Sequence, residues 1–157
     1  MSQATVQPAV VTDSAPINAI VAMAHVRSVE RSAEFYRLLG FEVGNYVPRE
    51  ASPMHWAWLY QPKSPNWKIG ANLMLTRSAG SLNPDAQGST AQEPLPNGCV
   101  LFYLYAADLV ALRNQLIASG SAPGEITYPE YLPKGEFRVE DPDGYCLMIA
   151  QSFEDSP

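Results

Sequence analysis

At 157 residues the chain is long enough for one domain with a sizeable core, and its 46% hydrophobic content is that of a globular protein. A net charge of −6, a pI near 4.8 and only 10 scattered Lys and Arg offer no basic face to phosphates, so nucleic acid is not an expected partner. No apolar run approaches the roughly 20 residues of a membrane span, so no membrane partner is expected either.

Residues 1–16 lack the basic start and compact apolar stretch of a secretory signal and read as a flexible polar lead. The cytoplasm is the expected location, with Cys99 and Cys146 as free thiols in strands. A first strand is expected over about 19–27. Ser28 is placed to cap a helix that runs to Leu39, with Val29, Ala33 and Tyr36 on one face, and Gly40 stops it. Phe41 to Val47 reads as a second strand and Pro48 to Pro53 as a loop. Met54 to Tyr60 is an aromatic strand with Trp56, Trp58 and Tyr60 on one side, although sequence alone leaves open which side faces inward. A turn follows at 62–66, and Lys68 to Arg77 is the next strand.

The stretch 79–98 is rich in Gly, Pro, Ser, Asn and Gln and reads as a linker. Beyond it the pattern starts again at Cys99. Asp108 is placed to cap a helix with Leu109, Leu112 and Leu116 inward, and Gly120 begins a turn. Glu125 to Tyr128 is a short strand. Glu136 to Glu140 and Tyr145 to Gln151 form a hairpin around Asp141-Pro142-Asp143-Gly144, where proline presets φ and glycine closes the turn.

The chain is therefore a duplication. Ile20 to Gly40 and Val100 to Gly120 both read strand, capped helix, stopping glycine, and Asn72 to Ser78 matches Cys146 to Ser152. The modules span about 19–78 and 99–152, with residues 153–157 as a tail. The expected architecture is α+β: two βαβββ modules in a cup-shaped mixed sheet with helices on the outer face.

The helix segment from Val26 to Phe41 and the turn Asp141-Pro142-Asp143-Gly144-Tyr145 resemble signatures of the vicinal oxygen chelate superfamily. That superfamily includes glyoxalase I, extradiol dioxygenases, fosfomycin-resistance transferases and bleomycin-resistance proteins, and the resemblance covers about 19–152. Its metal-dependent members place His, Glu or Gln at four positions, which fall here on Val21, Met74, Leu101 and Met148. All are apolar, and two thioethers with two aliphatic chains are a poor cage for a divalent cation. The resemblance thus implies a domain without metal or other cofactor.

His25 shares a strand face with Val21, and Tyr105 is its counterpart in the second copy, with Tyr103 alongside. Met74, Met148, Trp56, Trp58 and Tyr60 either line a pocket with them or fill the core. Arg138, sharing a face with Glu136, is placed to meet a ligand carboxylate or to lie on a solvated hairpin. The leading expectation is a metal-independent binder of an apolar or aromatic small molecule, of the bleomycin-resistance type and homodimeric. The alternative is an enzyme of the same superfamily, a lyase, isomerase or dioxygenase. It would be either cofactor-free with His25 as base or metal-dependent at shifted ligands.

Overall fold

In both copies a β-conformation capping residue turns a strand into a helix. The computed structural model describes residues 20–48, 53–63, 70–77 and 100–152. The first strand, β1 (Ala22–Val26), leads to helix α1 (Val29–Leu38), whose N-cap Ser28 is extended at φ −141° and accepts the Arg31 N–H at 3.2 Å. In the second copy β5 (Leu101–Ala106) leads to α2 (Leu109–Ala118), where the Asp108 carboxylate accepts the Ala111 N–H at 2.8 Å. Gly40 and Gly120 follow the helices with the same φ of 86°, a left-handed turn that a side chain would strain.

After α1 come β2 (Glu42–Val47), β3 (Trp56–Tyr60) and β4 (Asn72–Arg77), in a sheet of order β1-β4-β3-β2 with β1 and β4 parallel. After α2 come β6 (Glu136–Glu140) and β7 (Cys146–Gln151), in a sheet of order β5-β7-β6 with β5 and β7 parallel. The architecture is α+β, two mixed sheets with two helices. No described helix is long and apolar enough to cross a membrane.

The second copy departs from the expected βαβββ. The segment 125–128 is not a strand; Thr127 alone pairs with Glu136, through two N–H···O bonds of 2.9 Å. Gly124 also donates to the Arg138 carbonyl at 2.8 Å, and Pro129, without a donor, follows two residues after Thr127, so the contact stays short of a regular ladder. The aromatic strand begins at Trp56 rather than Met54, and β4 begins at Asn72. The lead 1–16, the linker 79–98, Cys99 and the tail 153–157 lie outside the described residues.

One face of each sheet carries the core. Val26, Val29, Ala33, Tyr36, Leu59 and Leu75 from the first copy join Leu109, Leu116, Phe137, Leu147 and Ile149 from the second in one buried cluster. Leu112, expected inward, packs partly buried against it. Phe35, Tyr36 and Phe41 stack edge to face, with centroids 5.5 and 6.0 Å apart.

Polar contacts from the β6–β7 turn lock the copies together. Asp141 accepts the Tyr36 hydroxyl at 3.1 Å, and Asp143 accepts the Ser32 hydroxyl at 3.0 Å and the Arg27 N–H at 2.9 Å. Tyr145 binds the backbone of His25 twice: its hydroxyl donates to the carbonyl at 3.0 Å, and its oxygen faces the N–H at 3.1 Å.

Candidate functional site

Period-two alternation sorts every strand into a core face and an opposite face. Ala57 and Leu59 are buried in the core, which places Trp56, Trp58 and Tyr60 on the face away from the helices. Cross-strand register sets Trp58 beside Met74, Trp56 beside Thr76 and Tyr60 beside Asn72. On the far side of β4, Met23 pairs with Met74 and His25 with Thr76. His25, Met74, Trp56, Trp58 and Tyr60 therefore share one surface, with Val21 entering the strand beside them.

This surface is shaped around an aromatic platform. Trp58 and Tyr60 stack with centroids 5.1 Å apart and planes 15° from parallel, and the indole N–H donates to Asn72 at 3.0 Å. The platform lies over Gly44, next to a register shift between Val43 and Asn45 in β2. A Cβ at Gly44 would stand 2.4 and 2.6 Å from Trp58 ring atoms. We expect Gly44→Ala to expel the indole at a cost of about 1–3 kcal/mol. The near-ultraviolet circular dichroism should change while the far-ultraviolet spectrum does not; an unaltered near-ultraviolet spectrum contradicts this.

The second sheet repeats the positions with different chemistry. Tyr103 and Arg138 flank Met148, as Met23 and Trp58 flank Met74; Tyr105 and Glu136 flank Ala150, as His25 and Trp56 flank Thr76. Arg138 is exposed and pairs with Glu140 at 3.0 Å. Glu136 is not on a solvated hairpin as expected for it: it is 4% exposed. Its carboxylate accepts the hydroxyl of Tyr103 and, at 2.7 Å, that of Tyr131. These bonds hold the phenols protonated: Tyr103 is pushed up to about 12, first by its bond to Glu136, and Tyr131 is raised for the same reason.

Sequence reasoning named Glu136 only as the neighbour of Arg138 on the hairpin and missed its burial under Tyr103 and Tyr131. The signal for it was indirect: a strand reading Tyr103, Tyr105 on one face carries hydroxyls that seek acceptors.

The two groups of residues lie on separate sheets. A cavity of about 730 Å³ opens along residues 38–41 and 103–108, and another of about 290 Å³ lies between Ala22, Tyr36 and residues 101–104. Of the expected site residues only Leu101, Tyr103 and Tyr105 border them. Val21, Met74, Leu101 and Met148 offer no nitrogen or oxygen donor from their side chains, and among the described residues no group of three or more His, Cys, Asp and Glu is placed to hold a metal. Cys146 is a half-buried free thiol.

No protein-family model and no curated protein sequence matches the chain. The likeness to known proteins is structural. A bleomycin-binding protein solved in complex with bleomycin is 19% identical, with a TM-score of 0.56 over 90% of this chain and 100% of that one. A bleomycin resistance determinant encoded on the transposon Tn5 is 18% identical, with a TM-score of 0.58 over 91% of this chain and all of its own. A member of the glyoxalase/bleomycin resistance protein/dioxygenase superfamily from Sphaerobacter thermophilus is 17% identical, with a TM-score of 0.59 over 85% and 96%. The chain has the fold of these proteins.

Proposed function

We propose that this chain is a small-molecule-binding protein that holds a flat aromatic ligand without a metal ion, as a homodimer. The observation that carries the reading is the platform of Trp56, Trp58 and Tyr60, built on a rigid sheet, turned away from the core and bordered by Met23 and Met74. Aromatic and thioether side chains with a few polar tips are the materials of ligand pockets. The bleomycin-binding neighbour supports small-molecule binding as the use of this fold. The apolar side chains at the superfamily's metal positions support binding without a cation.

Exposure supports the dimer. Met23 is 52% exposed, Leu101 50% and Tyr105 61% in the single chain. Apolar area of this kind is normally covered by ligand or by protein. A two-fold pairing that sets the first module's open face against the partner's second module covers both and forms two equal cups. Sedimentation at micromolar concentration is expected to give twice the 17.2 kDa of one chain, and a species of 17.2 kDa alone rejects the pairing.

Ligand binding is expected to quench tryptophan emission and raise the melting temperature. At a ligand concentration 100 times the Kd, linkage contributes about 2.7 kcal/mol. Trp58→Ala should remove most of that response while the fold, read by far-ultraviolet circular dichroism, persists. A variant that responds like wild type rejects the platform as the site.

A further inference from the structure

We propose that Glu136 and the tyrosines around it form the seat of a positively charged amine, so that the ligand class is an aromatic compound bearing an ammonium group. This rests on the binding reading above and narrows it.

Glu136 is a carboxylate 4% exposed whose two oxygens, among the described residues, are met by neutral donors, Tyr103 on one and Tyr131 on the other. Buried carboxylates are ordinarily matched by a cation, because neutral hydrogen bonds leave the charge uncompensated. Among the described residues no cation forms an ion pair with it. Arg138, two residues along on the same strand face, is paired instead with Glu140 at 3.0 Å.

The geometry around the carboxylate is made by one small residue. Ala150 stands between Tyr105 and Glu136 in register and is fully buried, so the Tyr103 phenol can pass across β7 to reach β6. A core needs no such arrangement; an apolar residue at 136 would fill the space without desolvating a charge.

What the arrangement presents outward is aromatic and electron-rich. Tyr103 and Tyr105 have ring centroids 5.6 Å apart and planes tilted by 48°; they are 41% and 61% exposed, and Tyr131 is 72% exposed. A phenol that donates its proton toward a carboxylate gains electron density in its ring, and an ammonium group binds the face of such a ring. The uncompensated charge behind the rings adds attraction at short range. A metal ion is not the match, since one carboxylate and exposed phenols give too few oxygen ligands for a hard cation. The overall charge of −6 draws organic cations toward the protein.

The test compares 2-naphthylmethylamine, protonated at pH 7, with 2-naphthylmethanol, its neutral near-isostere, by isothermal calorimetry on the full chain. The amine is expected to bind about tenfold more tightly than the alcohol. Glu136→Gln should bring the two affinities together by weakening the amine alone. Tyr105→Leu, at a position 61% exposed and with the fold checked by far-ultraviolet circular dichroism, should do so in part. Trp58→Ala should weaken both probes and leave their ratio. Equal affinities in the wild type, or a ratio retained in both Glu136→Gln and Tyr105→Leu, overturn the amine site and leave aromatic binding standing. Binding of neither probe overturns the amine site together with the reading it rests on.

Discussion

Asp141→Ala is expected to cost about 3–5 kcal/mol, a fall in melting temperature of roughly 10–15 °C for a chain of this size. The carboxylate is 5% exposed and accepts three bonds: the Asp143 and Tyr145 N–H groups at 2.9 Å each, and the Tyr36 hydroxyl at 3.1 Å. Alanine leaves the buried Tyr145 N–H and the Tyr36 hydroxyl, on a residue 2% exposed, without partners. Each orphan costs about 1–3 kcal/mol. Tyr36→Phe breaks only one of the bonds and should cost about 1–2 kcal/mol. Urea denaturation decides it: a midpoint for Asp141→Ala within about 1 kcal/mol of wild type would show that the turn does not hold the copies together.

The same pair sets an alkaline limit. Burial, then the facing Asp141 charge, raise the Tyr36 phenol far above its ordinary value of 10.0, so the folded state keeps a proton that the unfolded chain releases. Its contribution is complete below about pH 10 and is lost as pH rises beyond that. Burial likewise raises the Asp141 carboxyl, so its titration adds stability at acid pH that is lost as pH rises through the folded-state value. Wild type should therefore lose stability above pH 10 more steeply than Tyr36→Phe.

Met74→Glu is expected to abolish aromatic binding, with a loss on the order of 100-fold, while leaving the chain folded. Met74 is half-buried between Met23 and Trp58; neither is cationic, and the Trp58 indole N–H is already donated to Asn72, so a carboxylate placed beneath a flat ligand is left uncompensated by them. Met148→Glu occupies the equivalent position in the second copy but lies in register with Arg138, which can pair with the new charge. Its effect should be several times smaller. Titration of both variants against the same aromatic probe checks the order, and the reverse order would falsify the assignment of the aromatic wall to the first module.

The sequence made the helices and their ends legible because caps and stopping glycines act locally: Ser28 with Gly40, and Asp108 with Gly120, determine the same strand-to-helix turn twice. The parity of β1 and β7 was also legible, since each has a clearly apolar face. β3 was not, because Ala57 and Leu59 alternate with three aromatics and both faces read as apolar. Packing against α1 resolved it. Asp141 and Asp143 were legible as turn residues, and that role concealed their bonds to α1, which depend on contacts more than 100 residues apart. Glu136 was hidden for a similar reason. Its burial is conferred by Tyr103 on a strand two places away and by Tyr131 in a loop, and no local pattern encodes that meeting.

Register places Trp56 where the second copy has Glu136, and Trp58 where it has Arg138. Duplicated scaffolds with the same residues in both copies can offer only a symmetric surface. Here the backbone symmetry survives while the side-chain symmetry is gone, so the chain has two independently adjustable palettes on one frame. Changes on β6 alter polarity without moving the indoles, and changes on β3 alter flat apolar area without touching the buried carboxylate. Selection, or a designer, can therefore retune selectivity and strength of attachment one sheet at a time.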